Sequence, residues 1–210
     1  MKTSFYMLSV LAGLTMCNVM AAEAAEISPP QQATPAAAQL CTSCHGAQGQ
    51  GIGITGPRLA GLSAEYINNQ LKLFHVGKRQ NPTMSAMAAT VQGDNIAVVS
   101  QYFSQQLVAD IPLQFRGDKV AISDPFEALA FQGDWSRTIP ACTSCHGPSG
   151  VGGGQFPRLA GQEVSYLKTQ LLSWQNGTRK GDVDNMMGNI AVKLTAAEID
   201  GLSQFFANIK

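Results

Sequence analysis

Charge, histidine and β-alternation are all scarce in this chain. Charged residues make up 13% of its 210 residues, divided into 14 basic and 14 acidic. The balance holds locally, with four of each sign in residues 26–110 and nine of each in 111–210. With no basic stripe there is nothing to follow a phosphate backbone, which argues against nucleic acid as a partner, and without an acidic tail there is no charge run to favour disorder. The balance also leaves the docking partner unspecified. Histidine occurs three times, at His45, His75 and His146, so few metal-ligand sets can be built. No segment alternates convincingly between apolar and polar residues, which removes sheet architectures and the βαβ unit.

The N-terminus carries Lys2, an apolar run from about Phe5 to Val19, and then small residues. That order predicts a secretory signal peptide over residues 1–25, cleaved after Ala22, Ala24 or Ala25, and hence a periplasmic protein. The run is shorter than the roughly 20 residues of a membrane span. Of five cysteines, Cys17 leaves with the leader. The other four, Cys41, Cys44, Cys142 and Cys145, all sit in two copies of CTSCHG, at 41–46 and 142–147.

The duplication extends far beyond those six residues. PRLAG recurs at 57–61 and 157–161, Tyr66 matches Tyr166, Gln70-Leu71 matches Gln170-Leu171, and Arg79 matches Arg179. Ile96, Val99 and Tyr102-Phe103 match Ile199, Leu202 and Phe205-Phe206. So long a period describes two similar domains rather than a solenoid. Residues 26–107 form the first domain, 108–125 a linker with two prolines, and 126–210 the second. Each half predicts helices joined by glycine-rich loops. Thr34-Pro35 opens a short helix towards Cys41. Asp124, Pro125 and Glu127 read as a capping box. Segments 63–75 and 162–174 carry apolar residues at helical spacing, and Thr195 with Glu198 starts a last helix. The expected class is all-α.

Two cysteines at i and i+3 followed by histidine make the c-type haem attachment signature. The thiols share one helix face and can form thioethers to the two vinyl groups of one haem, while His45 or His146 reaches the iron. Zinc or an iron–sulfur cluster would find only two Cys and one His in each half. A redox dithiol needs a βαβ context, which is absent. Structural disulfides leave the histidines unexplained. Gly51-Ile52-Gly53-Ile54-Thr55-Gly56 fits the dinucleotide fingerprint by letter, but it follows Cys-His and precedes Pro57, so it reads as a tight loop over a haem.

The sixth ligand separates electron transfer from ligand binding. His75 matches Gln175, so a repeated His/His design is impossible, and His75 reads as a polar residue near a helix end. Methionine fits the repeat. Met84 lies seven residues before Val91 and Met187 seven before Leu194, which makes Met84 and Met187 the expected axial ligands, with Met87 and Met186 as substitutes. A His/Met pair raises the reduction potential.

With both CTSCHG motifs, TGPRLAG, FPRLAG and the methionine loops in place, each half resembles a class I cytochrome c domain, and the pair resembles the diheme cytochrome c4 family. The resemblance implies two tandem cytochrome c-like domains with two covalently bound haem c groups. It implies that the carbonyls of Pro57 and Pro157 accept from the proximal imidazoles and that Leu59 and Leu159 pack on the haems. Arg58 and Arg158 are candidates for pairing with propionates. The implied role is a periplasmic electron carrier from a quinol-oxidising cytochrome bc complex to a haem–copper terminal oxidase, without catalysis of its own; peripheral membrane association stays open. The alternative is the haem electron-transfer subunit of a periplasmic dehydrogenase. A diheme peroxidase would need an iron site that opens. Class I domains usually pack a glycine and an aromatic of the first helix against the last helix. Phe131 can supply that aromatic in the second half, whereas the first half has only PAAAQL.

Overall fold

In the computed structural model, which describes residues 33–210, four of the nine α-helices start where a side chain accepts the free N–H groups of a first turn. The expected leader, residues 1–25, lies outside the described residues. The order is α1 (Gln39–His45), α2 (Ala64–His75), α3 (Pro82–Ala89), α4 (Asn95–Ser104), α5 (Pro125–Phe131), α6 (Thr143–His146), α7 (Val164–Gln175), α8 (Met186–Ala191) and α9 (Ala196–Ala207). Ser63 caps α2, Asn81 caps α3 with Pro82 at its first position, and Asp124 caps α5 with Pro125 there. α9 opens with the expected Thr195–Glu198 capping box. Among the described residues strand pairing is limited to isolated bridges, so the all-α expectation holds.

Two details differ from expectation. Glu127 does not close a capping box, because its carboxylate instead accepts from Lys119 Nζ at 2.6 Å, a partner that the linker folds back to supply. In the first half a 3-10 turn at Ala36–Ala38 precedes α1, and the Thr34 hydroxyl lies 2.9 Å from the Tyr102 hydroxyl rather than capping.

Each half has its own core. Tyr66, Ile67, Leu71 and Phe74 of α2 meet Ile96, Val99, Tyr102 and Phe103 of α4. Leu167 of α7 meets Ile199, Leu202 and Phe206 of α9, with Leu129 and Phe131 of α5 alongside. Phe131 is 2% exposed and stands edge-on to Phe205, with ring centroids 6.0 Å apart. A second aromatic was not foreseen: the Phe126 ring lies so close over Gly201 of α9 that a Cβ there would come within 2.4 Å of it. Among the described residues the first half shows no such aromatic ahead of α1; Ala38, fully buried, joins its core there.

The halves are stitched together across a local pseudo-twofold. Arg79 and Arg179 pair as an antiparallel bridge, with Gln80 N–H donating to Thr178 O at 3.0 Å and Lys180 N–H to Lys78 O at 2.7 Å. Gln162 accepts from the Arg58 N–H at 2.9 Å and donates to the Arg58 carbonyl at 3.0 Å. Residues 107–123, which include most of the linker, contain no helix or strand.

Candidate functional site: two paired haem-type cavities

α1 carries Cys41 and Cys44 one turn apart and ends on His45. Gly46, at φ 84°, then turns the chain away. α6 does the same with Cys142 at its N-cap, Cys145 inside it and His146 at its end. His45 and His146 are 5% and 6% exposed. Their Nδ1 atoms lie 2.8 Å from Pro57 O and 2.9 Å from Pro157 O. A carbonyl can only accept, so Nδ1 carries the proton in both rings and Nε2 is left as a lone-pair donor. Burial holds both imidazoles below their ordinary pKa, against the opposing pull of the Pro57 and Pro157 carbonyls. Each ring is therefore neutral and oriented, as an iron ligand must be.

The loop after each histidine needs its glycines. At Gly56 a Cβ would sit 2.4 Å from the Cys44 carbonyl oxygen. Only hydrogen fits there, and the close approach leaves Pro57 O within hydrogen-bonding distance of His45 Nδ1. The stretch that imitates a dinucleotide fingerprint closes on itself by an Ile52–Gly56 bridge, with neither strand nor helix about it, as expected for a loop.

Each Cys-Cys-His face opens on an apolar cavity. The first, about 480 Å³, is lined by Cys41, Cys44, His45, Pro57, Leu59 and Met84, with Met87 also on its wall. The second, about 200 Å³, is lined by Cys142, Cys145, His146, Pro157, Leu159 and Met187, with Met186 also present. Every residue expected to attach a haem, ligate its iron or pack on it thus reaches the cavity of its own half. Both methionines of each pair reach it too. Burial separates them in the second half, where Met186 is 37% exposed and Met187 is more enclosed.

The backbone N–H of Met84 donates to Asn81 Oδ1 at 2.8 Å, and that of Met187 to Asp182 Oδ2 at 2.6 Å. The two methionines are therefore held in the same way. His75 and Gln175 are equivalents as well: His75 Nε2 lies 2.6 Å from Ala88 O, and Gln175 Nε2 donates to Ala191 O at 2.7 Å. His75 ties down the end of the methionine helix and does not line the first cavity.

All four cysteines are separate thiols. Burial pushes the Cys142 thiol up to about 12 and raises that of Cys41. Reactive or metal-binding cysteines are shifted the other way. Among the described residues no group of three or more His, Cys, Asp or Glu gathers to hold a bare metal ion. The apolar walls, the paired thiols and the free Nε2 fit a haem c in each half.

Arg58 and Arg158 are not on either cavity wall. Their Nε atoms donate instead to Gly161 O at 3.3 Å and Ala160 O at 3.0 Å. The cations that do line the cavities are Arg79 and Arg179. Arg79 donates to Gln70, Tyr166 and Gln170, and Arg179 to Tyr66, Gln70 and Gln170, at 2.7–3.1 Å. Each guanidinium also lies over an aromatic ring, Phe74 at 4.6 Å and Trp174 at 4.8 Å. Among the described residues neither forms an ion pair with a carboxylate. Burial by itself would raise the Tyr166 phenol, but the two arginines bring it below its ordinary value. Tyr66, Gln70, Gln170 and Arg179 line both cavities, so one layer of side chains separates them. Sequence reasoning had these residues as repeat matches and gave them no site role.

The cytochrome c family model matches residues 33–107 and again 137–210. The chain is 37% identical, over all of its own length and 97% of the relative's, to a protein of Stutzerimonas stutzeri named thiosulfate dehydrogenase electron acceptor. It is 33% identical to a cytochrome c4 of Pseudomonas aeruginosa, over 83% of this chain and 86% of that one. A solved thiosulfate dehydrogenase from Marichromatium purpuratum, in its as-isolated form, superposes with a TM-score of 0.71 at 40% identity. That match covers 80% of this chain and 36% of the dehydrogenase chain. With two family matches, two attachment motifs and two haem-type cavities, the chain belongs to the cytochrome c family, and within it to the diheme group typified by cytochrome c4, whose members carry electrons rather than catalyse.

Proposed function

We propose that this protein binds two covalent haem c groups and accepts electrons from a periplasmic dehydrogenase of the thiosulfate-oxidising kind, passing them towards a haem–copper terminal oxidase. The observation that carries this reading is the layer of shared residues, Tyr66, Gln70, Gln170 and Arg179, between two equivalent cavities. An electron that enters at one site has only that layer to cross. The relative named thiosulfate dehydrogenase electron acceptor, similar over the whole chain, supports the choice of donor. The leader-like residues 1–25 support the periplasmic location.

Bound at each site, haem supplies a one-electron iron couple. Cys41 and Cys44, and Cys142 and Cys145, would hold it by thioethers, and His45 and Met84 in the first half and His146 and Met187 in the second would supply the iron ligands. The Pro57 and Pro157 carbonyls keep each imidazole in a single tautomer and orientation. Leu59 and Leu159 help exclude water. Arg79 and Arg179 offer positive charge to anionic haem edges. The same side chains would serve both oxidation states of the bound group, so little of the protein would reorganise on electron transfer.

Two measurements test the reading. Carbon monoxide added to the reduced protein should leave the spectrum unchanged at both haems; binding at either would mean an open site and favour peroxidase or gas-binding chemistry. Thiosulfate with catalytic amounts of a thiosulfate dehydrogenase should reduce both haems. The bc complex implied by the family resemblance is the rival donor. Rapid reduction by it, with none by the dehydrogenase, would replace the proposed donor.

A further inference from the structure

Neither cavity is walled by its own domain alone. Ser165, Tyr166, Thr169, Gln170 and Ser173 of α7 line the first, and Tyr66, Asn69, Gln70 and Leu73 of α2 line the second. Each site keeps that wall only while the domains stay docked. The docking itself carries unbalanced charge. Arg79 and Arg179 are 8% and 7% exposed, and they donate to amide and phenol oxygens. Both bond the same two amide oxygens, those of Gln70 and Gln170. Two buried cations therefore share neutral acceptors, an arrangement that added negative charge stabilises. Arg179 has a donor to spare, because its Nε is buried and has no hydrogen-bond partner among the described residues. Arg179 also lines both cavities, whereas Arg79 lines the first alone.

We infer that the stabilities of the two sites are coupled through Arg179, so that a haem held in one domain stabilises the site in the other; this rests on the reading of one haem in each half. An anionic group in either cavity offsets the charge of Arg179 and supplies an acceptor of the kind its Nε lacks. That favours the docked arrangement over the separated one by the difference in interaction. The docked arrangement in turn brings α7 to the first cavity and α2 to the second. Such a coupling is reciprocal, and its usual size is about 5- to 150-fold.

Amide hydrogen exchange measures it. The slowest amides of α4 report opening of the first domain, and those of α9 opening of the second. Cys142→Ala/Cys145→Ala removes the thioethers of the second half, and Cys41→Ala/Cys44→Ala those of the first. With the first haem alone attached, the α4 amides should exchange about tenfold faster than in the parent. With the second alone attached, the α9 amides should quicken by the same factor. Once Arg179→Met is added, loss of the distant haem should change neither rate further. Arg179→Met with both haems attached should quicken exchange in α4 as well as in α9, and this comparison decides wherever a cysteine variant fails to mature. Unchanged α4 exchange on loss of the second haem, a factor that persists in Arg179→Met, or a change confined to α9 in the two-haem variant would each overturn the inference. A haem count keeps the failures apart. Fewer than two haems on the parent chain defeats the reading of the sites and the coupling with it, whereas two haems with independent rates defeats the coupling alone.

Discussion

Replacing Arg79 by methionine tests whether the buried arginine pair holds the two domains together. The change removes donors to Gln70, Tyr166 and Gln170 at 3.0, 2.7 and 3.0 Å. Hydrogen bonds from a charged donor contribute about 1.5 kcal/mol each at the low end of their range, so the gross loss is about 4–5 kcal/mol. Part of that returns. Both guanidinium groups bond the same Gln70 oxygen, at 3.0 and 3.1 Å. Like charges that close repel by about 2–3 kcal/mol at an effective dielectric constant near 20. The net expectation is a destabilisation of about 2 kcal/mol, and any anionic haem edge facing the pair would add to it. The assay is guanidinium unfolding of the holoprotein, followed by helical circular dichroism and by the haem bands. The two domains should also begin to unfold in separate steps, because the bridge that couples them is weakened. A variant as stable as the parent, or more stable, would refute the reasoning and mean that desolvation and repulsion outweigh the hydrogen bonds.

Three further outcomes follow from particular contacts. Gly56→Ala should destabilise the first domain by about 1–3 kcal/mol, because the new Cβ meets the Cys44 carbonyl at 2.4 Å; a denaturation midpoint equal to the parent's would count against the close approach. His75→Gln should be within about 0.5 kcal/mol of the parent, since Gln175 already does the same task in the second half, whereas His75→Ala should lose about 1 kcal/mol in the same unfolding assay. In the second domain, the Ser136 hydroxyl and Arg137 hold the Asp134 carboxyl at about 2, and Arg137 also lowers Glu198. Depressed carboxylates stabilise the fold above their unfolded values, here 3.8 and 4.5, and that contribution fades as pH falls towards 2. Arg137→Ala should therefore narrow the difference between the denaturant midpoints at pH 7 and pH 3, and an unchanged difference would remove Arg137 from the account.

The sequence by itself determined the chemistry of each site. Cysteines at i and i+3 with an adjoining histidine need nothing beyond one helical turn to present two thiols and an imidazole on one face, and α1 and α6 do so. Repetition located the rest, because Pro57 and Pro157, Leu59 and Leu159, and Met84 and Met187 keep register in two copies, and all of them reach the expected cavities. Local rules also marked helix starts at Asp124 and Thr195, and failed at Glu127 only because a lysine from the linker competes for its carboxylate. What joins the halves was decided by tertiary structure. Arg79 and Tyr166 are 87 residues apart, and Arg179 and Tyr66 are 113 apart. No periodicity or motif spans such a separation; the contacts exist only once two folded domains dock with their repeated residues face to face. The same holds for the matching of Asn81 with Asp182. Their letters are visible in the chain, but their equivalence comes from two backbone N–H groups that find an acceptor at different sequence offsets, Asn81 three residues before Met84 and Asp182 five before Met187.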